Sequence, residues 1–331
     1  VAFLPDGRYL VTERAGAMRI VSTDGTVGAP LSGVPKVHAE GQGGLLDVVL
    51  DPEFARNQTL FFSYAEPGED GARTAIARAR LDAGGLANVR VIFRQQPGLA
   101  NGYHFGSRIV IGRDGFLYAT VGERSDTRER AQHLDKTYGK VIRIGRDGSI
   151  PADNPFVGRQ GADPAIWSYG HRNPQGLALD PASGQLFEHE HGPRGGDEIN
   201  IIRKGENYGW PVITFGREYY GPKIGDGTHK AGMQQPLYYW DPSIAPSGMA
   251  FLASEHAGPW RGNLFVGALK FMLLARLELK DGKVVHEERL LADDKDRIRD
   301  VREGPDGALY VLTESRGRLL RLLPVAKGSA P

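Results

Sequence analysis

The sequence predicts an all-β protein: a six-bladed β-propeller of four-stranded antiparallel sheets, with long loops inserted between strands. Three observations carry this expectation. Glycine supplies 45 of the 331 residues, about twice its usual ~7% share, which calls for many tight turns and so many short strands. One phrase, an apolar residue, a Pro-Asp-Gly-like turn and a short alternating strand, recurs six times. No stretch keeps an apolar 3.6-residue period long enough for a core helix; Asp126 to Tyr138 reads as a short one at most.

The first copy runs Phe3-Leu4-Pro5-Asp6-Gly7 and then Tyr9-Leu10-Val11-Thr12. A looser second copy, Leu50-Asp51-Pro52, leads to Leu60-Phe61-Phe62. The third is Ile111-Gly112-Arg113-Asp114-Gly115 before Leu117-Tyr118-Ala119-Thr120, and the fourth runs from Leu179-Asp180-Pro181 to Gly184 and Leu186-Phe187. The fifth, again looser, is Trp260-Arg261-Gly262-Asn263 with Leu264-Phe265-Val266; the sixth is Gly304-Pro305-Asp306-Gly307 with Leu309 to Thr313. In such turns proline presets φ, aspartate bonds the backbone two residues on, and glycine accepts positive φ. Second strands follow at Gly16 to Ile20, Gly139 to Ile144 and Gly317 to Leu322. Copies lie roughly 45 to 78 residues apart, beyond the ~40–45 of a regular blade, so loops are inserted. Six sheets placed radially leave only short edges and a central channel. No Pro/Ser-rich linker or charge run divides the chain, so one domain over residues 1–331 is expected.

Composition removes several function classes. The chain has no cysteine, which excludes disulfides, zinc–thiolate sites, iron–sulfur clusters and cysteine nucleophiles. A formal net charge of +1 argues against a nucleic-acid binder, which normally carries a basic excess. No run approaches the roughly 20 apolar residues of a membrane span. The sequence opens on Val1 inside a strand-like run without an initiator Met, as expected of a chain processed or trimmed at its start.

Function is carried by loops that break the alternation. Five stand out: Glu40 to Gly44, Asn101 to Gly106, Tyr169 to Gly176, His189 to Glu198 reaching Asn207-Tyr208-Gly209-Trp210, and Asp296 to Asp300. Taken alone, a single loop histidine such as His104 more often has a structural role, and Arg297 with Arg299 could be solvated surface charges. Two residues apart on a strand, however, those two arginines point the same way. His189 and His191 are two apart without a third ligand at a zinc-like spacing, so zinc is not expected.

Ordered segments across nearly the whole chain resemble the soluble quinoprotein sugar dehydrogenases that use pyrroloquinoline quinone, specifically their aldose sugar dehydrogenase branch. The match runs through Gly41 to Asp47, His104-Phe105-Gly106, Tyr169 to Gln175, His191 to Asn200, Asn207 to Pro211, Gly267 to Lys270 and Arg297 to Arg302. The family's fold is a six-bladed propeller, in agreement with the repeat count. The resemblance implies His104 as the catalytic base, a role suited to a pKa near the working pH. It implies quinone contacts from Gln42, Arg172, Asn173, Tyr219, Lys270, Arg297 and Arg299; a trianionic cofactor demands such a basic pocket. Arg172 or Lys270 would stabilise charge developing on the quinone oxygen. Trp240 matches an aromatic lining the sugar and quinone cleft, although core packing suits it equally.

Calcium is the second implied cofactor. Backbone carbonyls of the Gly192-Pro193 turn match the site shared with the quinone, and Glu198 with the Tyr208 backbone matches a separate structural calcium; hard oxygen donors suit that ion. His171 has no matching role and is left as structural. Two departures fall near the expected cleft. Tyr103 stands where relatives carry a small polar or acidic residue, and Phe271-Met272 follows Lys270 where relatives are more polar.

The function implied is oxidation of aldoses at the C1 hydroxyl to the lactone, with electrons passed to an external acceptor by a periplasmic or secreted monomer or homodimer. Two other classes predict different residues. A metal-dependent lactonase would line its channel with carboxylates and Asn, whereas the marked loops are cationic. A propeller that only binds would have lost the quinone contacts, which are all present here.

Overall fold

The computed structural model describes residues 1–323; residues 324–331 of the expected domain lie outside the described residues. Six antiparallel sheets follow one another along the chain, five of four strands and the sixth of three among the described residues. The innermost strands are Ala2–Phe3, Leu45–Leu50, Gly106–Ile111, Pro174–Leu179, Pro246–Phe251 and Ile298–Glu303. Each sheet then steps outward strand by strand in sequence order, the arrangement of a six-bladed propeller.

All six turn phrases fall at the same place, between the first and second strands of their blades. Their chemistry repeats as well. Asp6, Asp114, Asp180 and Asp306 each accept the backbone N–H two residues on, at 3.0–3.2 Å. Asp114 and Asp306 also accept the hydroxyl of the tyrosine four residues later, Tyr118 at 2.8 Å and Tyr310 at 3.0 Å. Gly307 closes its turn at φ 74°, where a side chain would be strained.

The expected alternation is lost in the second strands. Leu117–Val121 and Leu264–Ala268 are buried along their whole length, because a neighbouring blade covers each face of the sheet. The apolar cores accordingly lie between blades: Phe61 and Ile76 of the second blade pack against Ile109 and Leu117 of the third, and Phe187 and Ile199 of the fourth against Met249 and Val266 of the fifth. The sixth blade meets the first through Tyr310, whose ring centroid is 4.8 Å from Phe3 and 5.8 Å from Tyr9. The helix expected within Asp126 to Tyr138 is a single 3-10 turn, Arg128–Ala131. Among the described residues no helix is long and apolar enough to cross a membrane.

Charges fill the axis of the ring. Arg108, on the inner strand of the third blade, donates to Asp47 of the second at 3.3 Å, the Gln175 carbonyl of the fourth at 3.1 Å and Asp300 of the sixth at 2.8 Å. Arg302 bonds Asp47 at 2.5 Å and Asp300 at 3.1 Å. Burial opposes ionisation of Asp300, yet Arg108, Arg302 and the Val1 ammonium hold its carboxyl well below the usual range, and each aspartate is paired with both arginines. The residues just before the inner strands, among them Gln42, Asn173 and Arg297, open onto a cavity at one mouth of this axis.

Candidate active site

His104 sits two residues before the inner strand of the third blade, buried, with a left-handed backbone at φ 49°. Its N–H donates to Oε1 of Gln42 at 2.9 Å, so Gln42 fixes the loop from the neighbouring blade. Its Nδ1 lies 2.6 Å from Oε2 of Glu123, which follows the second strand of the same blade and is 1% exposed. The two loops approach so closely that a Cβ on Gly122 would stand 2.0 Å from the His104 carbonyl; only glycine fits there.

Burial pushes the His104 imidazole below its ordinary 6.5; Glu123 opposes this, while Arg172 and Arg124 add to it. Burial alone would raise Glu123, but the imidazole, Arg172 and the Ser125 N–H hold its carboxyl below 4.5. An ionised Glu123 accepts a hydrogen bond from Nδ1–H, which leaves Nε2 as the free basic nitrogen. Sequence reasoning missed Glu123, whose pairing with His104 forms only once the first two strands of the blade come together.

Arg172 and Asn173 precede the inner strand of the fourth blade. Arg172 Nη1 donates to the carbonyls of His191 at 3.0 Å and Gly192 at 2.9 Å, and its guanidinium lies over the Trp210 ring at 5.2 Å. The buried Nε of Arg172 and the buried Nδ2 of Asn173 have no partner among the described residues. Buried donors are rarely left so, and these two call for an acceptor brought by a ligand. Lys270 stands exposed at a strand turn of the fifth blade, its Nζ over Phe271 at 5.3 Å, so the apolar departure after Lys270 serves to support its stem. Arg297 and Arg299 do point the same way: both reach Glu314, at 3.2 Å and 2.9 Å. Gln42, Asn173, Lys270, Arg297 and Arg299 line one cavity of about 1260 Å³, which continues between the first and sixth blades past Val11 and Leu312. His191 lines it too, a neutral imidazole that burial lowers to about 3 and whose Nε2 donates to the Pro246 carbonyl at 2.6 Å.

His104 and Arg172 are not themselves on the lining but adjoin it in sequence, next to Phe105 and Asn173, whereas two other expected contacts are placed elsewhere. Tyr219 lies on an exposed hairpin, 62% accessible, closed by backbone pairing of Arg217 with Lys223. Trp240 is core: it is 3% exposed on the outermost strand of the fourth blade and edge-on to Tyr238, and its Nε1 donates to Glu287 at 3.0 Å. The alternating run Tyr238–Trp240 turns Trp240 inward and leaves Tyr239 46% exposed, so the register of an outer strand, not a cleft, places the indole. Tyr103 is 53% exposed, with its ring edge-on to His104 at 6.5 Å.

The calcium expectations meet two different settings. The Gly192 carbonyl already faces the positive charge of Arg172, and the Gly192 N–H is tied to Asp197 at 2.8 Å. Glu198 lies across the strand pair from Glu190, on the sheet face that also carries Glu188. Three buried carboxylates are thus gathered, with Asn200 donating to Glu188 at 3.1 Å and His171 Nδ1 3.3 Å from Glu190. Burial, then Glu190, push Glu188 and Glu198 well above the usual carboxylate range, and Glu188 Oε1 has no partner among the described residues. His171, Glu188 and Glu190 offer ligand atoms within 4.8 Å of one another. That chemistry, hard anionic oxygens short of positive charge, fits a divalent cation. The Tyr208 ring stacks on His171 at 4.7 Å, its hydroxyl donates to the Ile201 carbonyl and its N–H to the Tyr169 carbonyl, so only its backbone carbonyl is left for a ligand. His171, read as structural from sequence, therefore borders this cluster.

Comparison with known proteins bears on this arrangement. A sequence model described as glucose/sorbosone dehydrogenase matches residues 1–321. The chain belongs to the glucose/sorbosone dehydrogenase family. It is 50% identical over 331 residues to the aldose sugar dehydrogenase of Escherichia coli strain K12, covering 98% of this chain and 89% of that one. The crystal structure of the soluble aldose sugar dehydrogenase from Escherichia coli in the apo-form superposes with a TM-score of 0.94 at 49% identity, over 97% of this chain and 94% of that one. The pyrroloquinoline quinone-bound form of an aldose sugar dehydrogenase from Streptomyces coelicolor gives a TM-score of 0.77 at 30% identity, over 97% and 91%. Family membership gives the His104–Glu123 pair and the unpartnered donors beside it a shared chemical context.

Proposed function

We propose that the protein oxidises aldoses at the C1 hydroxyl to the lactone, using pyrroloquinoline quinone and calcium and passing electrons to an external acceptor. The observation that carries this reading is the buried His104–Glu123 pair at a mouth where Arg172 Nε and Asn173 Nδ2 lack acceptors. A relative at 30% identity whose structure is that of a quinone-bound form supports the choice of cofactor. The excess of cationic residues at the mouth favours a polyanionic cofactor over the carboxylate-lined channel of a lactonase. A periplasmic or secreted setting accords with a chain that needs no thiol.

When bound, pyrroloquinoline quinone supplies the carbon that accepts hydride from C1. The protein does the rest. His104 Nε2 takes the C1 hydroxyl proton, and Glu123 steadies the imidazolium that forms. Arg172, Asn173 and Lys270 would hold the quinone oxygens with positive charge and N–H groups, the electrostatic support that hydride acceptance requires. Arg297 and Arg299, held parallel by Glu314, bind carboxylates, and Gln42 keeps the His104 loop in register. The Gly192-Pro193 carbonyls would hold calcium, and Glu198 with its neighbouring carboxylates would hold a second, structural ion.

Reconstitution with quinone and calcium tests the reading. An aldose should bleach the oxidised quinone spectrum and reduce an added dye. No spectral change with any common aldose overturns it.

A further inference from the structure

The two halves of the catalytic pair stand on separate loops, and one side chain ties them. We propose that Arg124 is the positioning residue that holds His104 against Glu123 in the geometry needed for proton transfer. The inference rests on the reading of His104 as the base.

Arg124 directly follows Glu123 and is fully buried. Its guanidinium reaches back across the His104 loop. Nε donates to the Tyr103 carbonyl at 2.8 Å, and Nη2 donates to the Asn101 carbonyl at 2.7 Å and to Asn101 Oδ1 at 3.0 Å. Nη1 donates to the Ala72 carbonyl of the second blade at 2.7 Å. The guanidinium carbon lies 3.9 Å from the centre of the Phe105 ring. Asn101 returns a bond from Nδ2 to the Arg124 carbonyl at 2.8 Å. The residues on either side of His104, Tyr103 and Phe105, are thus both gripped by the group attached next to its carboxylate partner.

The grip opposes backbone strain. His104 (φ 49°), Arg124 (φ 68°) and Ser125 (φ 63°) all occupy the left-handed region, a concentration that persists only where surrounding contacts over-determine it. Four of the five guanidinium protons are spent on carbonyl-type oxygens of one loop and its neighbour, and among the described residues no carboxylate pairs with the group. A buried arginine without a counter-ion is costly. Burial lowers its pKa to about 10, so it stays charged at neutral pH.

A second buried cation in the same blade supplies the contrast. Lys140 donates to the Arg130 carbonyl at 3.1 Å, the Ala131 carbonyl at 2.9 Å and the Tyr138 carbonyl. It braces the far part of that long loop and touches neither His104 nor Glu123.

The test uses the quinone- and calcium-loaded enzyme. Arg124→Gly suits the positive φ and leaves a guanidinium-shaped space. It should lower kcat about 100-fold, the cost of misplacing a reacting group by about an ångström, while quinone titrates as in the parent. Millimolar guanidinium chloride should restore part of kcat where sodium chloride does not. The acid limb of the rate profile should move to higher pH. The groups facing His104 are Glu123, Arg124, Arg172 and His191; removing one cation leaves Glu123 less opposed and raises the imidazole pKa. Lys140→Met should lower Tm and leave that limb in place. Turnover of Arg124→Gly within about threefold of the parent, an unmoved limb, or a loss that guanidinium does not reverse overturns the proposal. Should Arg124→Gly not fold, Asn101→Ala removes one acceptor and the returning bond but keeps the cation; it must lower kcat at unchanged quinone affinity with the acid limb in place, or the proposal fails. His104→Ala, measured alongside, separates the two readings: full turnover there sinks the base assignment itself.

Discussion

Two clusters of arginine and acid border one cavity and do different things. On the axis, Arg108 and Arg302 meet Asp47 and Asp300, and every charge has a partner within the protein. At the mouth, Arg297 and Arg299 share the single carboxylate of Glu314, Arg172 bonds only carbonyls, and Lys270 makes no ion pair among the described residues. The same residue types give a closed set in one place and an open one in the other. The difference is one of counting: balanced charge holds the protein together, and unbalanced charge with unpartnered donors awaits a ligand.

The comparison breaks if mouth substitutions cost stability or axis substitutions cost only turnover. His104→Ala should have the largest effect, a loss in kcat of about 100- to 10,000-fold in a dye-reduction assay with little change in the urea midpoint. Asp47→Ala leaves Arg108 and Arg302 to share Asp300, and urea unfolding should report about 3–5 kcal/mol less stability. Arg297→Gln combined with Arg299→Gln should weaken quinone binding about 10- to 100-fold by spectral titration, since charge-assisted bonds to carboxylates are lost, and leave folding within about 0.5 kcal/mol.

The acidic cluster in the fourth blade sharpens the counting further, because it is unbalanced in the opposite sense. Glu188 and Glu198 bind protons in the folded state at pH values where the unfolded chain, near 4.5, has released them. Folded protein therefore holds more protons than unfolded above that pH, and without a divalent cation its Tm should fall as pH rises from 5 to about 7.5. Calcium should remove that decline, and a chelator should restore it; a Tm indifferent to calcium at pH 7.5 would tell against a cation there. The smallest effect belongs to Tyr219→Ala. On its exposed hairpin it should leave quinone affinity and stability essentially unchanged, and a tenfold loss of affinity would show that the hairpin reaches the cavity.

What the sequence disclosed follows from how local each signal is. The six turns were legible because aspartate, proline and glycine act on their own backbone, as the repeated bonds from Asp6, Asp114, Asp180 and Asp306 show. The parallel aim of Arg297 and Arg299 followed from strand periodicity. Glu123 was not legible, since its partnership with His104 spans the turn between two strands and exists only once they pair. Arg108 looks like any strand arginine until the ring closes around it. Trp240 was open to two readings, a cleft lining implied by the resemblance or core packing, and placement on an outer strand buries the indole between blades. The Gly192 and Glu198 loops read alike as acidic, glycine-rich turns, and only the register of Glu190 against Glu198 separates one from the other.

Arg108 has a mechanical consequence. A propeller is a circle of repeats, and linear repeat arrays can fray from an end because each unit contacts only its neighbours. A spoke anchored on the third blade and tied to the second, fourth and sixth removes that freedom: no seam can part without exposing charges that belong to blades elsewhere in the circle. The ring should therefore open in one cooperative event, with the slow-exchanging amides of distant inner strands released together.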